Sequence, residues 1–109
     1  MKFEILPLPV FEREARRLIR KYPSLKRELA ALSTILVNDP RQGDALGKNC
    51  YKIRIAIASK GAGKSGGGRV ISHLAVRREV VYLLHIYDKS ERSNISRSEL
   101  DALIKQVPV

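Results

Sequence analysis

The sequence predicts an α+β fold in which a helical hairpin and a C-terminal helix pack on an antiparallel sheet, in the order β-α-α-β-β-β-α. Three observations predict it. Apolar residues recur at helical spacing in two successive stretches after Val10, three later stretches read as strands, and a capping signature opens a last helical stretch. The chain has 109 residues. That length suits one domain over 1–109, able to bury about two thirds of its unfolded surface without staples.

Lys2 to Leu6 is a short apolar run stopped by Pro7 and Pro9, as a first strand before a helix would be. Phe11, Ala15, Leu18, Ile19 and Tyr22 then follow helical spacing, and Pro23 ends the run by disfavouring helical geometry in the residue before it. Ser24 is placed to cap a second helix, whose Leu25, Leu29, Leu32 and Leu36 share a face until Asn38-Asp39-Pro40. From Tyr51 to Ala58, Tyr51, Ile53, Ile55 and Ile57 alternate with Lys52, Arg54 and Ala56. Such a strand turns its isoleucines to the helices and Lys52 with Arg54 to an open face. Arg69 to Val76 and Val80 to Tyr87 are β-rich runs joined tightly through Arg77-Arg78-Glu79, which predicts a hairpin. Ser96 and Glu99 form a capping box for a final helix bearing Leu100, Leu103, Ile104 and Val107.

Lys and Arg number 21 against 11 Asp and Glu, a formal charge of +10. A surplus of that size attracts nucleic acid or anionic surfaces, because each neutralised phosphate releases counterions. Between Asp44 and Glu79 there is no acid, while Lys48, Lys52, Arg54, Lys60, Lys64, Arg69, Arg77 and Arg78 all fall there. In Glu12, Arg13, Glu14, Arg16 and Arg17 the signs are interspersed, as on an ordinary solvated helix face. Cys50 is the sole cysteine, so no intrachain disulfide is possible and a reducing cytoplasm is the expected compartment. No apolar stretch approaches the roughly 20 residues of a membrane helix, so no membrane partner is expected. With two His, one Cys and no acids near them, no metal site is expected, and nothing points to a small-molecule cofactor.

The glycine-rich loop from Ser59 to Gly68 contains Gly63-Lys64-Ser65 but is no nucleotide phosphate loop. Ala58 stands where that motif needs glycine, and a strand rather than a helix follows. Its glycines would instead give a polyanion close access, with Lys60, Lys64 and Arg69 to neutralise it. Arg69 is the leading candidate, since a guanidinium grips a phosphate with two hydrogen bonds. Strand parity collects Lys52, Arg54, Arg69, His73, His85 and Tyr87 on the open face. Such a set suits metal-free RNA cleavage, in which the ribose 2′-hydroxyl is the nucleophile. Lys52 or Lys64 is a candidate base if neighbouring cations lower its pKa, and His73 and His85 are alternative acid–base groups. Tyr87 is placed to stack on a base, and Lys89 lies on the same rim.

Tyr51-Lys52-Ile53-Arg54, the run from Lys64 to Ile71, and the run from Val81 to Glu91 together resemble the RelE/ParE superfamily of toxins from type II toxin–antitoxin modules, and look closest to its RelE-like branch. The resemblance implies a ribosome-dependent endoribonuclease that cuts messenger RNA, inhibits translation and is silenced by a cognate antitoxin. It implies catalytic roles for Arg69, Lys64, Lys52, Tyr87 and Lys89 and a basic lining position for Arg54, while the basic segment without acids offers Lys48, Arg54, Lys60, Arg77 and Arg78 as RNA contacts. Where the branch carries an arginine and a late tyrosine after the last strand, this chain offers Ser90 and Ser96, so the acid–base pair stays open. A ParE-like inhibitor of DNA gyrase and a basic nucleic-acid-binding module are the rival readings.

Overall fold

The computed structural model describes residues 2–61 and 66–108. Pro7 closes strand β1 (Glu4–Pro7), and Pro9 opens helix α1 (Pro9–Lys21), where its missing N–H is no loss. Helix α2 (Leu25–Asn38) follows the tight turn at Pro23. Strands β2 (Asp44–Gly47), β3 (Cys50–Ile55), β4 (Gly68–Ala75) and β5 (Val80–Asp88) precede helix α3 (Arg97–Ile104). Glu99 and Ser96 cap α3 reciprocally, as the capping box predicts.

The five strands lie in the order β1-β5-β4-β3-β2. The sheet is mixed rather than purely antiparallel, because β1 runs parallel to β5 at the edge, with Glu4 opposite Val80. Apolar alternation carries no information on strand direction. The added strand, β2, is short and mostly exposed, so it lacks the apolar alternation that marked the others. It pairs with β3 through Lys48 and Asn49, both at positive φ (53° and 60°), the backbone of a type I′ two-residue hairpin. The strand expected to reach Ala58 ends at Ile55, and Ala58–Lys60 forms a 3-10 turn. Ser24 does not cap α2 with its side chain. Its hydroxyl donates to Glu28 and accepts from the Ser59 N–H, tying the helical hairpin to the 3-10 turn.

Each face of the sheet has its own core. Phe11, Ala15 and Leu18 of α1 and Leu25, Leu32 and Leu36 of α2 pack on Ile53, Ile55, Val70, Leu74, Leu83 and Ile86. On the other face, Leu100 and Leu103 of α3 pack with Cys50, Ile71, Tyr82, Leu84 and Tyr87. The C-terminal helix therefore covers part of the face expected to be open. A bulge at Leu84, where Ile71 pairs with His85 and Ser72 with Leu83, adjusts β5 to this second core. Among the described residues no helix is long and apolar enough to cross a membrane.

Two features fix where β4 begins. At Gly67 an added Cβ would lie 2.2 Å from the Ile55 carbonyl oxygen, so only glycine lets the chain enter the sheet beside β3. The second is the fully buried carboxylate of Asp88. It accepts hydrogen bonds from the Lys60 ammonium, the Ser90 N–H and hydroxyl, and the Tyr22 hydroxyl. Lys60 also donates to the Gly66 carbonyl at 2.9 Å, which joins the two ends of the glycine-rich segment. Burial alone would raise the pKa of Asp88. The Lys60 ammonium, the Ser90 donors and the Tyr22 hydroxyl outweigh it and hold the carboxyl well below the usual carboxylate range.

Gly67→Ala is expected to destabilise the fold by about 2 kcal/mol through backbone overpacking, read as a lowered denaturant midpoint. A midpoint equal to wild type would contradict the close approach. Lys60→Met leaves Asp88 buried without its cation and is expected to cost on the order of 3 kcal/mol at neutral pH. Because the folded pKa of Asp88 is depressed, its stabilisation is complete above the unfolded carboxylate range, about pH 4, and is lost as pH falls below it. Acid unfolding curves should thus be shallower for Asp88→Asn than for wild type, and equal slopes would count against this linkage.

Candidate active site on the open sheet face

Three strands bring the candidate residues into register. Arg54 of β3 pairs with Arg69 of β4, which pairs with Tyr87 of β5. One step along, Lys52 pairs with Ile71 and Ile71 with His85. Directly paired residues share a face, so Lys52, Arg54, Arg69, His85 and Tyr87 stand on the side partly roofed by α3. His73, opposite Cys50, continues that face beyond them.

Arg69 is only 5% exposed, yet its charge is accommodated within the sheet, in part by a 2.9 Å hydrogen bond to the Gly68 carbonyl. Tyr87 is 3% exposed, and its buried hydroxyl has no hydrogen-bond partner among the described residues. Burial raises the Tyr87 pKa, opposed by the Arg69 and Arg92 cations, so the phenol keeps its proton at neutral pH. His85 is half-buried, with its ring 6.3 Å from that of Tyr87 and its Nδ1 without a partner among the described residues. Burial first, and then repulsion from Arg92, lowers its pKa and favours a neutral imidazole. Beside it, Val10, Glu99, Ala102 and Leu103 line a cavity of about 220 Å³. A second recess, of about 330 Å³, is lined by Gln42, Gly43, Asp44, Lys52, Ile53 and Arg54. Lys52 is half-buried at its edge and reaches Asn94 Oδ1 at 3.5 Å.

Other predicted residues have different employment. Lys60 is held by Asp88 and Gly66 and is mostly buried, so it is a structural cation rather than an open phosphate ligand. Lys48 sits on the β2–β3 turn, in an ion pair with Asp101 at 2.9 Å. Arg77 and Arg78 lie at the β4–β5 turn, about 25 Å along the strand from Arg69 by the rise of an extended chain. Arg78 there donates to the Pro108 carbonyl, so neither residue joins the Arg69 row. Lys89 donates to the Ser93 carbonyl at 3.1 Å. His73 has its Nδ1 3.4 Å from Cys50 Sγ, a contact inside the second core. Burial lowers the His73 pKa and raises that of the Cys50 thiol to about 11. Lys64 lies outside the described residues.

Arg92 is the residue that sequence reasoning missed. Its guanidinium lies 5.2 Å from the Tyr87 ring centroid and forms a 2.6 Å bond with Glu99. It brings a guanidinium to Tyr87 from the loop between β5 and α3. The available clue was the capping box, because Glu99, fixed at the start of α3, also holds Arg92 in place. Among the described residues, no three His, Cys, Asp or Glu side chains gather as a metal ion would require.

Comparison with solved structures finds the same fold in the free state of a double arginine-to-alanine mutant of the E. coli toxin RelE. The match covers 99% of this chain and 100% of that one, with a TM-score of 0.67 and 16% identity. Residues 10–107 match the family described as the RelE toxin of the RelE / RelB toxin-antitoxin system. A match over nearly the whole chain, carried on the same sheet and helices, makes this protein a member of the RelE toxin family.

Proposed function

We propose that the protein is a metal-independent endoribonuclease that cuts messenger RNA on the ribosome, inhibits translation, and is silenced by a cognate antitoxin. The observation that carries the reading is the Arg54–Arg69–Tyr87 row, two guanidinium groups beside a protonated phenol on one sheet face. Membership of a toxin–antitoxin family supports the biological setting.

In this reading Arg69 and Arg54 hold the non-bridging oxygens of the scissile phosphate, where negative charge grows as the 2′-oxygen attacks phosphorus. Lys52, one step along β3, adds positive charge on the same side. The neutral imidazole of His85 accepts the 2′-hydroxyl proton. Tyr87 donates a proton to the departing 5′-oxygen, which leaves a cyclic phosphate on one fragment and a hydroxyl on the other. Arg92, over the Tyr87 ring and anchored by Glu99, holds the phenol in position. Arg69 and Tyr87 are buried, and donors held in place need little rearrangement when charge develops, which is how a site without a metal lowers this barrier.

Induced expression should arrest growth and give discrete breaks in translated messages, mapped by primer extension. Arg69→Ala, checked for folding by circular dichroism, is expected to lower cleavage by about 100-fold or more. Intact messages during arrest, together with inhibited DNA supercoiling, would replace this reading with the gyrase inhibitor. Since His85 acts when neutral and its pKa lies below the ordinary histidine value, cleavage should fall as pH drops through that lowered value. His85→Gln should be slow and lack this acid limb, and an unchanged pH profile would remove His85 from the role.

A further inference from the structure

We infer that the cavity between the start of α1 and α3 seats one nucleobase, that of the nucleotide on the 5′ side of the scissile phosphate, and that Glu99 selects a base bearing an amino group. The placement along the strand rests on the nuclease reading, whereas the choice of base rests on the cavity itself. The cavity has a volume of about 220 Å³ and is walled by Val10, His85, Glu99, Ala102 and Leu103. Val10 and Leu103 belong to the second core, which gives the recess an apolar wall for a flat heterocycle to pack against. His85 forms its boundary with the Arg54–Arg69–Tyr87 row, the imidazole lying 6.3 Å from the Tyr87 ring. With His85 taking the 2′-hydroxyl proton, the ribose that carries this hydroxyl stands beside the imidazole. The base on that ribose then falls to the cavity.

Glu99 is held so that half of its carboxylate stays available. Its Oε1 accepts from Arg92, from the Ser96 N–H and from the Ser96 hydroxyl, and no bond from a described residue engages Oε2. The capping box fixes the side chain in the first turn of α3. The Arg92 guanidinium first, and then the Ser96 N–H, hold the Glu99 pKa down at about 2, so at neutral pH the group only accepts hydrogen bonds. The side chain is 45% exposed and so open to an incoming base. A carboxylate accepts from an amino group such as cytosine N4 and repels the carbonyl oxygen that uracil carries in its place. Adenine and guanine also bring an amino group, whereas the N3–H of uracil is set between two carbonyl oxygens. The cavity wall contains no lysine or arginine and does contain this carboxylate, so it suits a neutral base and leaves the phosphate to Arg54 and Arg69.

Full-length protein is titrated with short abasic deoxyribose-phosphate strands that carry one cytosine, one uracil or no base. Such strands lack the 2′-hydroxyl and cannot be cut by this chemistry, so binding is read whether or not the protein is a nuclease. The cytosine strand should bind about 10-fold more tightly than the uracil strand. In Glu99→Gln the Arg92 and Ser96 donors still claim the oxygen, which turns the amide nitrogen to the cavity, and the order should reverse in favour of uracil O4. An equal loss for both strands would overturn selection by Glu99, since that is what a merely structural role would give. Ala102→Phe, at an exposed position of α3, fills the recess and should bring both strands to the affinity of the strand with no base. Equal cytosine and uracil binding by wild type, or a preference that survives Ala102→Phe, would overturn the proposal. In mapped messages uridine should be depleted immediately 5′ of the breaks, and breaks that follow uridine as often as cytidine would overturn the placement. An absence of breaks, with the cytosine preference intact, would overturn the nuclease reading alone.

Discussion

The buried carboxylate of Asp88 ties the end of α1 and the 3-10 turn at Ala58–Lys60 to the paired ends of β4 and β5. One oxygen takes Lys60, at the start of the glycine-rich segment, and Ser90, just after β5; the other takes Tyr22, at the end of α1. A lone buried carboxylate would be costly, but here every donor is supplied and the charge is retained. The arrangement makes the end of the helical hairpin, the entry to β4 and the exit from β5 one unit. Arg69, His85 and Tyr87 of the candidate site hang from these two strands, and Lys52 and Arg54 are brought to them by β3. Arg69 is the second residue of β4 and Tyr87 the next-to-last of β5, so both stand next to this anchor.

The sheet resolves a conflict between burial and charge by giving its faces different roofs. One face is sealed by two helices through leucines, Phe11 and Ala15. The other is only partly sealed by α3, whose eight residues reach far enough to cover Ile71 and Leu84 but leave half-buried side chains at Lys52 and His85. Partial cover has a chemical effect. It lowers the His85 pKa and raises that of Tyr87, so both groups are neutral at the same pH while the arginines beside them stay charged. Full exposure would have removed those shifts.

What could be read from the sequence was whatever leaves a local period. The leucines of α2, the isoleucines of β3 and the Ser96–Glu99 box each follow a spacing that the backbone imposes, and the structure has α2 and α3 where the spacing puts them and β3 as far as Ile55. The grouping of Lys52, Arg54, Arg69, His85 and Tyr87 on one face also followed, because strand parity is a two-residue rule. Strand β2 leaves no period, being nearly all exposed, and the parallel pairing of β1 is decided by an edge distant in sequence. Lys60 looked like a free cation because its carboxylate partner lies in another strand. Arg92 was hidden for a similar reason, since its stacking on Tyr87 depends on Glu99 holding it from α3.

The bulge at Leu84 divides the β4–β5 ladder into two halves with separate duties. On one side lie the pairs Arg69 with Tyr87 and Ile71 with His85; on the other, pairs such as Leu74 with Val81 lead only to the turn at Val76–Arg78. A register irregularity in mid-ladder makes the second half a spacer. Lengthening, shortening or recharging the turn leaves the spacing of the first half to the bulge and the Asp88 anchor. In such a molecule the tip of the hairpin is the place where sequence can drift toward a new contact while the chemistry of the sheet stays in place.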